Sequence, residues 1–495
     1  MTRILYLLII FIIFDESYGE NFIYADPFNL LKVEQKFSFD STSIPSLTIR
    51  PLIKNINNYN LELIARSEFY YNSSAPNFEN MGNRFIAKGF GFFTSINLSY
   101  TGKYFSLSIE PFYITSQNKA LPINGRDGMF YNLNDNPKHR LSYLSAGLRE
   151  TQLYFHFREL GFGFSNANMW WGPGLHNTLT MTNNTTSFPH LMIGTVNEKR
   201  INKIGINLRY IFSKLDKTIG DPYFTALVGT LRYYSNPLIT IGLSRNYLSG
   251  GLPTDRPFTR LDAALIVFEQ LLIDTKLREY PPEWDAHDPW DQTMAGFIML
   301  DFPESKLRLF VEIGTNDHRQ NFSDLRTHPD HALAYILGMR KYGFFRNENL
   351  VAGFEYTNLI LGKFWDYRAT PNWYNRASYD YSSYDGLRWA AHSGSDSDDF
   401  FIYFGYQNDK WSFIPAFNYE RHGVIYTRQP EVKMEIRFDF RYSWGEYRIN
   451  MFFEREWIEH AGFIPNKWRI GNVVWFGIER DITKMLSNKI RLPKK

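Results

Sequence analysis

The stretch KMEIRFDFR, Lys433 to Arg441, puts Met434, Ile436, Phe438 and Phe440 on one face of an extended chain. Glu435, Arg437, Asp439 and Arg441 fall on the other, because successive strand residues point to opposite sides. A soluble strand rarely carries four charges in a row on its second face. A membrane barrel strand can, because that face looks into a polar lumen. KIGINLRYIF repeats the pattern, with Ile204, Ile206, Leu208, Tyr210 and Phe212 set against Lys203, Asn207 and Arg209. YFSLSIE sets Phe105, Leu107 and Ile109 against Ser106, Ser108 and Glu110. A large soluble sandwich or propeller is the competing architecture. The chain shows no blade-like repeat, and its apolar faces are long and aromatic. Aromatics are 18% of the 495 residues, and Tyr and Trp suit surfaces that are apolar at one end and wet at the other.

Beyond the N-terminus, no stretch approaches the roughly 20 apolar residues that a membrane helix requires, so any bilayer crossing must use strands. The N-terminal run ILYLLIIFIIF, Ile4 to Phe14, follows Arg3 and precedes the small residues of Ser17-Tyr18-Gly19. This reads as a signal peptide over residues 1–19, cleaved before Glu20. A membrane anchor is the alternative, but the run is short and Asp15 and Glu16 follow it at once. The formal net charge of +3 carries no basic surplus of the kind nucleic-acid binding needs. With no cysteine, disulfides, thiolate metal sites and Cys nucleophiles are excluded.

The alternation predicts strands near 61–71, 85–100, 103–116, 149–158, 160–169, 188–196, 202–213, 223–235, 238–248, 292–302, 307–315, 333–342, 349–361, 400–407, 411–421, 431–442, 445–454 and 472–480. Short links such as TGK, EL, NP and NDK alternate with long ones such as 117–148, 170–187, 249–291, 316–332 and 362–399. Bacterial barrels alternate in this way, with short periplasmic turns and long outer loops. The predicted fold class is all-β, a transmembrane antiparallel barrel of about 18 strands with long extracellular loops and a loop helix. Residues 20–58 form a periplasmic N-terminal segment, 59–481 the barrel and 482–495 a periplasmic tail. DPFNLLKVEQKF, within the N-terminal segment, suits a short helix or a strap across the barrel mouth. Thr259 to Tyr280 has helical spacing of Leu261, Leu265, Phe268 and Leu272, predicting an amphipathic helix folded over or into the lumen, or else a strand extension.

The most distinctive segment is NANMWWGPGLHNTLTMTNN, Asn166 to Asn184. The strand assignment places Trp170 and Trp171 at the outer end of a strand, one facing lipid or the rim and the other the lumen. Two readings stand: an aromatic girdle with a turn, or a lumen-facing ring that stacks on a sugar beside Asn183 and Asn184, whose amides both donate and accept. NDHRQN and HPDH share one outer loop, where Asp317 and His318 are candidate sugar contacts. His328, His331 and Asp330 could join them as metal ligands, but the spacing matches no known site, and no metal or cofactor is expected. SGSDSDD, Ser393 to Asp399, reads as a solvated tip rather than a calcium loop. No nucleophile elbow, phosphate loop or zinc-protease motif is present, so no catalysis is expected.

LGFGFSNANMWWGPGLHNTLTMTNNTTSFPHLMIGT resembles the central signature of the Wzi family of capsule-assembly outer-membrane proteins, with its Trp-Trp-Gly-Pro-Gly turn, Asn-Asn pair and following Phe-Pro. DFPESKLRLFVEIGTNDHRQNFSDLRTHPDHALAYILGMRKY resembles the family's later segment, including Asn316-Asp317-His318. The resemblance runs from about Phe85 to the end. It implies an eighteen-stranded barrel in the outer membrane of a Gram-negative cell that binds capsular or extracellular polysaccharide, lectin-like and non-catalytic. The expected partners are that polysaccharide and outer-membrane lipid, with the barrel a monomer. Enterobacterial members plug the periplasmic mouth with an N-terminal helical bundle. Residues 20–58 are too few for that, which is closer to shorter, Bacteroidetes-type members. An outer-membrane diffusion channel and an accessory barrel of a secretion or adhesion complex are the alternatives. The close mixture of Glu435, Arg437, Asp439, Arg441, Glu446, Arg448 and Glu454 favours a closed lumen, although a charged constriction would look the same in sequence.

Overall fold

The computed structural model describes residues 21–483, apart from 28–29, 38–45, 55, 57–58, 122–125, 127, 137–141, 218–219, 252–257, 269–289, 317–332, 361–372 and 375–376. The signal-peptide expectation lies outside the described residues.

Eighteen antiparallel staves close into one barrel, each paired with its sequence neighbours. They are β1 Asn60–Asn72, β2 Gly89–Thr101, β3 Phe105–Ser116, β4 Tyr143–Phe157, β5 Leu160–Ser165, β6 His190–Thr195 continued by Lys199–Ile201, β7 Ile204–Lys214, β8 Tyr223–Tyr233 and β9 Leu238–Ser249. The second half is β10 Trp290–Phe302, β11 Leu307–Asn316, β12 Leu333–Phe344, β13 Asn347–Asn358, β14 Ser397–Gln407, β15 Trp411–His422, β16 Glu431–Trp444, β17 Tyr447–Glu459 and β18 Arg469–Asp481. β18 pairs with β1, from Val473↔Asn72 to Asp481↔Ile64, which leaves no sheet edge and suits a wall surrounded by lipid. β1 starts and β18 ends at the rim of short turns, the periplasmic rim of a bacterial barrel.

The period-two reading of faces holds along these staves. Ile436, Phe438 and Phe440 are exposed to the outside, while Glu435 is buried inside. Arg437 pairs with Asp439 at 3.0 Å and with Glu454 at 3.6 Å, and Lys433 with Glu435 at 2.8 Å. Arg448, expected to join this group, is paired with Glu479 on β18 at 3.0 Å. Arg437→Leu is therefore expected to lower the temperature at which the folded barrel unfolds in detergent gels. Phe438→Leu, which only exchanges one apolar lipid-facing group for another, should shift it much less. Equal shifts would mean the faces are reversed.

Two local expectations change. β4 begins at Tyr143, six residues before the predicted start at 149, and β5 stops at Ser165 rather than running to the tryptophans. The helical segment also lies elsewhere. α2, Arg260–Leu265, is capped by Thr259 and Asp262 and packs on the outer wall, not in the lumen. Ile266 and Val267 beyond it cover Tyr247, with Tyr210, Leu227 and Trp290 around them. These share the strand faces of the exposed residues Leu208, Leu231, Leu243 and Ile298. Thr225 and Tyr210 donate to the Ala263 and Ala264 carbonyls at 2.8 and 2.6 Å. The reason is composition: the outer face of β7–β10 is apolar enough to cover Ala263, Ile266 and Val267, while Leu261, Leu265 and Phe268 of the predicted stripe stay exposed.

The N-terminal segment enters the barrel. Asn21 donates to Glu62 on β1 at 2.7 Å, and α1, Leu30–Phe37, spans the short-turn mouth, where Gln35 bonds the Glu348 and Gln407 carbonyls. Further on, Ser46 donates to Glu198 beside β6 at 2.9 Å. The described residues of this segment thus combine the short helix with the strap across the mouth, and they reach three sides of the wall.

Candidate functional site: the plugged lumen

The barrel interior holds a protein core of its own. Trp171, Leu179, Met181, Trp373 and Trp389, all from inter-strand segments, pack with the inward residues Phe224, Val228, Phe297, Met299, Phe310 and Ile336. β10 shows the signal that sequence reading passed over: TMAGFIML is apolar on both faces, as a wall with lipid outside and a filled interior requires.

Glu34 on α1 ties the strap to this wall. It receives Arg308, Arg340 at 2.9 Å and the Tyr342 hydroxyl at 2.8 Å. Arg308 also meets Asp301 at 2.6 Å, and Arg340 meets Glu355 at 3.3 Å. Burial alone would raise the Glu34 pKa, but the two guanidinium groups overcome it and hold the carboxyl below its usual range.

Above the strap lies the tryptophan segment. Trp170 and Trp171 pair with Arg50 and Ile49 of the N-terminal segment, and both rings are buried, at 0% and 1% exposure. This corrects the expectation of one lipid-facing ring: β5 ends early, and the chain from Asn166 turns into the lumen. The Arg50 guanidinium lies over the Trp170 ring at 5.0 Å, and Trp171 stacks near Phe224 at 6.3 Å. Gly172 has φ 152, and a Cβ there would approach Thr178 and Glu312 within 3 Å, so only glycine passes this turn. Its N–H donates to the Thr48 carbonyl at 2.8 Å. Four further amides of this stretch are taken by carboxylates of the wall. Glu355 accepts from Leu175, from His176 at 2.9 Å and from Asn177 at 3.3 Å, and Glu312 from Leu179 at 2.9 Å. Arg340 donates to the Pro173 carbonyl. These wall residues were not singled out from sequence. Their signal was a lone inward charge in an otherwise apolar strand, as in LFVEIG, LGMRKY and AGFEY.

Asn183 and Asn184 are also buried, and their amides bond other loops of the plug. Asn183 donates to the Asn80 carbonyl at 2.8 Å and accepts from Asn168 at 2.7 Å. Asn184 donates to the Arg388 carbonyl at 2.8 Å and accepts from the Asn80 amide and from Asn134. The structure thus brings Trp170, Trp171, Asn183 and Asn184 together as the interior of a plug, with no ring face or amide turned to solvent. Asp317 and His318 lie outside the described residues. The SGSDSDD segment is not a solvated tip: Ser393 to Asp399 are buried, and Asp396 accepts from the Ile425 and Tyr426 amides.

Residues 72–421 match the family described as capsule assembly protein Wzi. The chain belongs to that family. Among solved structures it is similar to the Escherichia coli outer-membrane Wzi, described as involved in group 1 capsule assembly and as a carbohydrate-binding β-barrel. The two share 11% identity over 92% of this chain and 99% of that one, with a TM-score of 0.61. Pseudomonas aeruginosa OccK5 (OpdH) aligns at 10% identity over 86% and 98% of the two chains with a TM-score of 0.42. No protein of curated function matches the sequence. Family and fold together make this an outer-membrane Wzi-type barrel. Within it, a cavity of about 110 Å³ remains between the plug and β14–β17, lined by Leu31, Glu79, His176, Tyr403, Glu435 and Arg437 among others.

Proposed function

We propose that this Wzi-family barrel is a lectin-like protein that holds capsular or extracellular polysaccharide at the cell surface during assembly or attachment, and not a diffusion channel. The observation that carries the reading is the apolar core that the described residues place inside the lumen, where a diffusion channel would need a polar path. Family membership supplies the ligand class. The plug interior supports the outer face instead of touching sugar: Asn184 bonds the loop that carries Arg388, and Asn132 donates to the Asp380 carbonyl at 3.1 Å.

On that face, residues 128–136 are anchored over the outer ends of β16 and β18 by Arg126 with Asp135 and Glu431, and by Arg469 with Asp135. Tyr131 stands there with half its surface exposed, and Tyr381 adjoins the same loop. Aromatic faces of this kind pack on the C–H faces of sugar rings. Tyr131→Ala with Tyr381→Ala is expected to weaken binding of the purified barrel to isolated surface polysaccharide by about tenfold, the equivalent of about 1.4 kcal/mol. The same cells should shed polysaccharide into the medium while the barrel stays folded. Unchanged binding and retention would remove this face from the reading. Steady single-channel conductance of the wild-type protein in planar bilayers would overturn the reading itself in favour of a channel.

A further inference from the structure

The plug meets the wall at a group of donors that none of the preceding roles uses. His176 lies on the tryptophan segment, His392 on the loop before β14, Asp399 on β14 and Glu79 on the loop between β1 and β2. The His176 and His392 Nε2 atoms lie 3.1 and 3.3 Å from Asp399 Oδ2, and His392 Nε2 lies 3.7 Å from Glu79 Oε2. The donor atoms of His176, His392 and Asp399 all fall within 4.8 Å of one another.

These contacts are poor hydrogen bonds. Among the described residues, neither ring nitrogen of His392 has a hydrogen-bond partner, although the residue is 2% exposed. The same holds for His176 Nε2 and for Asp399 Oδ1. Buried polar atoms without partners are expensive, and each one calls for a ligand or a reason. The spacing itself suggests the ligand. A tetrahedron of bonds near 2.0–2.2 Å has edges of roughly 3.3–3.6 Å, close to the separations seen here. The surroundings are already ordered as ligand supports are. His176 is stacked on Phe401 at 4.2 Å and stands perpendicular to His392. Asn177 donates to Asp399 Oδ2 at 2.8 Å and accepts from the His392 backbone amide at 3.1 Å, fixing carboxylate and loop together. Lys433 engages Glu79 through Oε1, which leaves Oε2 toward His392. His176 also lines the lumenal cavity, which gives an ion a way in.

We infer that His176, His392 and Asp399, with Glu79 as the fourth donor, bind a divalent transition-metal ion of the zinc type. Two imidazoles with two carboxylates are the donor set of such an ion, whereas calcium and magnesium take oxygen cages. The ion would join three plug loops to β14, so its role is to lock the plug. The site is distinct from the polysaccharide reading, because it is buried and metal binding is measured with no glycan present.

The test uses the full chain, folded in detergent, stripped with a chelator, reloaded with Zn²⁺ and desalted. Elemental analysis should find one zinc per chain, and zinc should raise the unfolding temperature. His392→Asn and Asp399→Asn should each weaken zinc binding by about tenfold or more, whereas His190→Asn, a buried histidine on β6, should not. Folding of each variant is checked by its shifted migration in unheated gels. Should a variant not fold, Co²⁺ added to the wild-type protein decides: an intense tetrahedral visible spectrum supports the site. No stoichiometric zinc in the wild type, a weak octahedral cobalt spectrum, or equal zinc in His392→Asn and wild type would overturn it.

Discussion

Trp171→Ala is expected to loosen the plug while leaving the barrel closed. The Trp171 ring is buried in the core inside the lumen, against Phe224 and near Leu179 and Met181. Removing a buried tryptophan costs about 3–5 kcal/mol, from lost burial and from the cavity left behind. The wall does not share that loss equally, because its staves are hydrogen-bonded all the way around and closed through β18 and β1. The variant should therefore still migrate as a folded barrel in unheated gels. Backbone amides of 166–187 and of Ile49–Arg50 should exchange with deuterium much faster, and ion conductance should appear in planar bilayers. Phe438→Leu, on the lipid face, serves as the control. Unchanged exchange and a silent bilayer would mean that the plug is held by something other than its apolar core.

The second large effect concerns the strap. Arg340→Met removes a guanidinium that serves Glu34, Glu355 and the Pro173 carbonyl at once. Glu34 and Glu355 are then left buried with fewer partners, and breaking a buried pair in this one-sided way costs about 3–5 kcal/mol. α1 should detach from the short-turn mouth, and the N-terminal segment should become open to protease from that side. Arg340→Met combined with Glu34→Gln should recover part of the loss, because the uncompensated charge goes too. The pH dependence follows from the lowered pKa of Glu34. A carboxyl held below its unfolded value contributes stability that is full above the ordinary carboxylate range and lost as pH falls through the lower folded value. Strap docking should therefore weaken on acidification in the wild-type chain, and this dependence should shrink in Glu34→Gln. A strap that stays protected in Arg340→Met would assign its anchoring to the contacts of Asn21 and Gln35 alone.

In the proposed reading, a lumen filled by a strap, an apolar core and loops tied to one another makes the barrel a scaffold for its outer face. In the same reading, chemistry that looks suited to sugar, two tryptophans and two asparagines, is buried inside the plug. The rings pack on Arg50 and Phe224 and the amides bond neighbouring plug loops, whereas Tyr131 and Tyr426 are exposed.

The sequence by itself determined the wall. Eighteen strands, their order, the faces of residues such as Glu435 and Phe438, and the alternation of short and long links follow from a period of two and from turn chemistry. Both are local, and the lipid outside enforces them at every stave. The contents of the barrel were decided only by the tertiary structure. Loops have no period, and the turn at Trp170–Gly174 fits a rim as well as a lumen. What draws it inward is Glu355, 179 residues away from His176 in the chain, with Glu312 and Arg340. α2 shows the converse: the sequence carries a helical period but not the surface it meets, and the outer faces of β7–β10 cover Ala263, Ile266 and Val267 while Leu261, Leu265 and Phe268 stay exposed. The grouping of His176, His392, Asp399 and Glu79 is likewise invisible along the chain, because each comes from a different segment and only the packed plug brings them together.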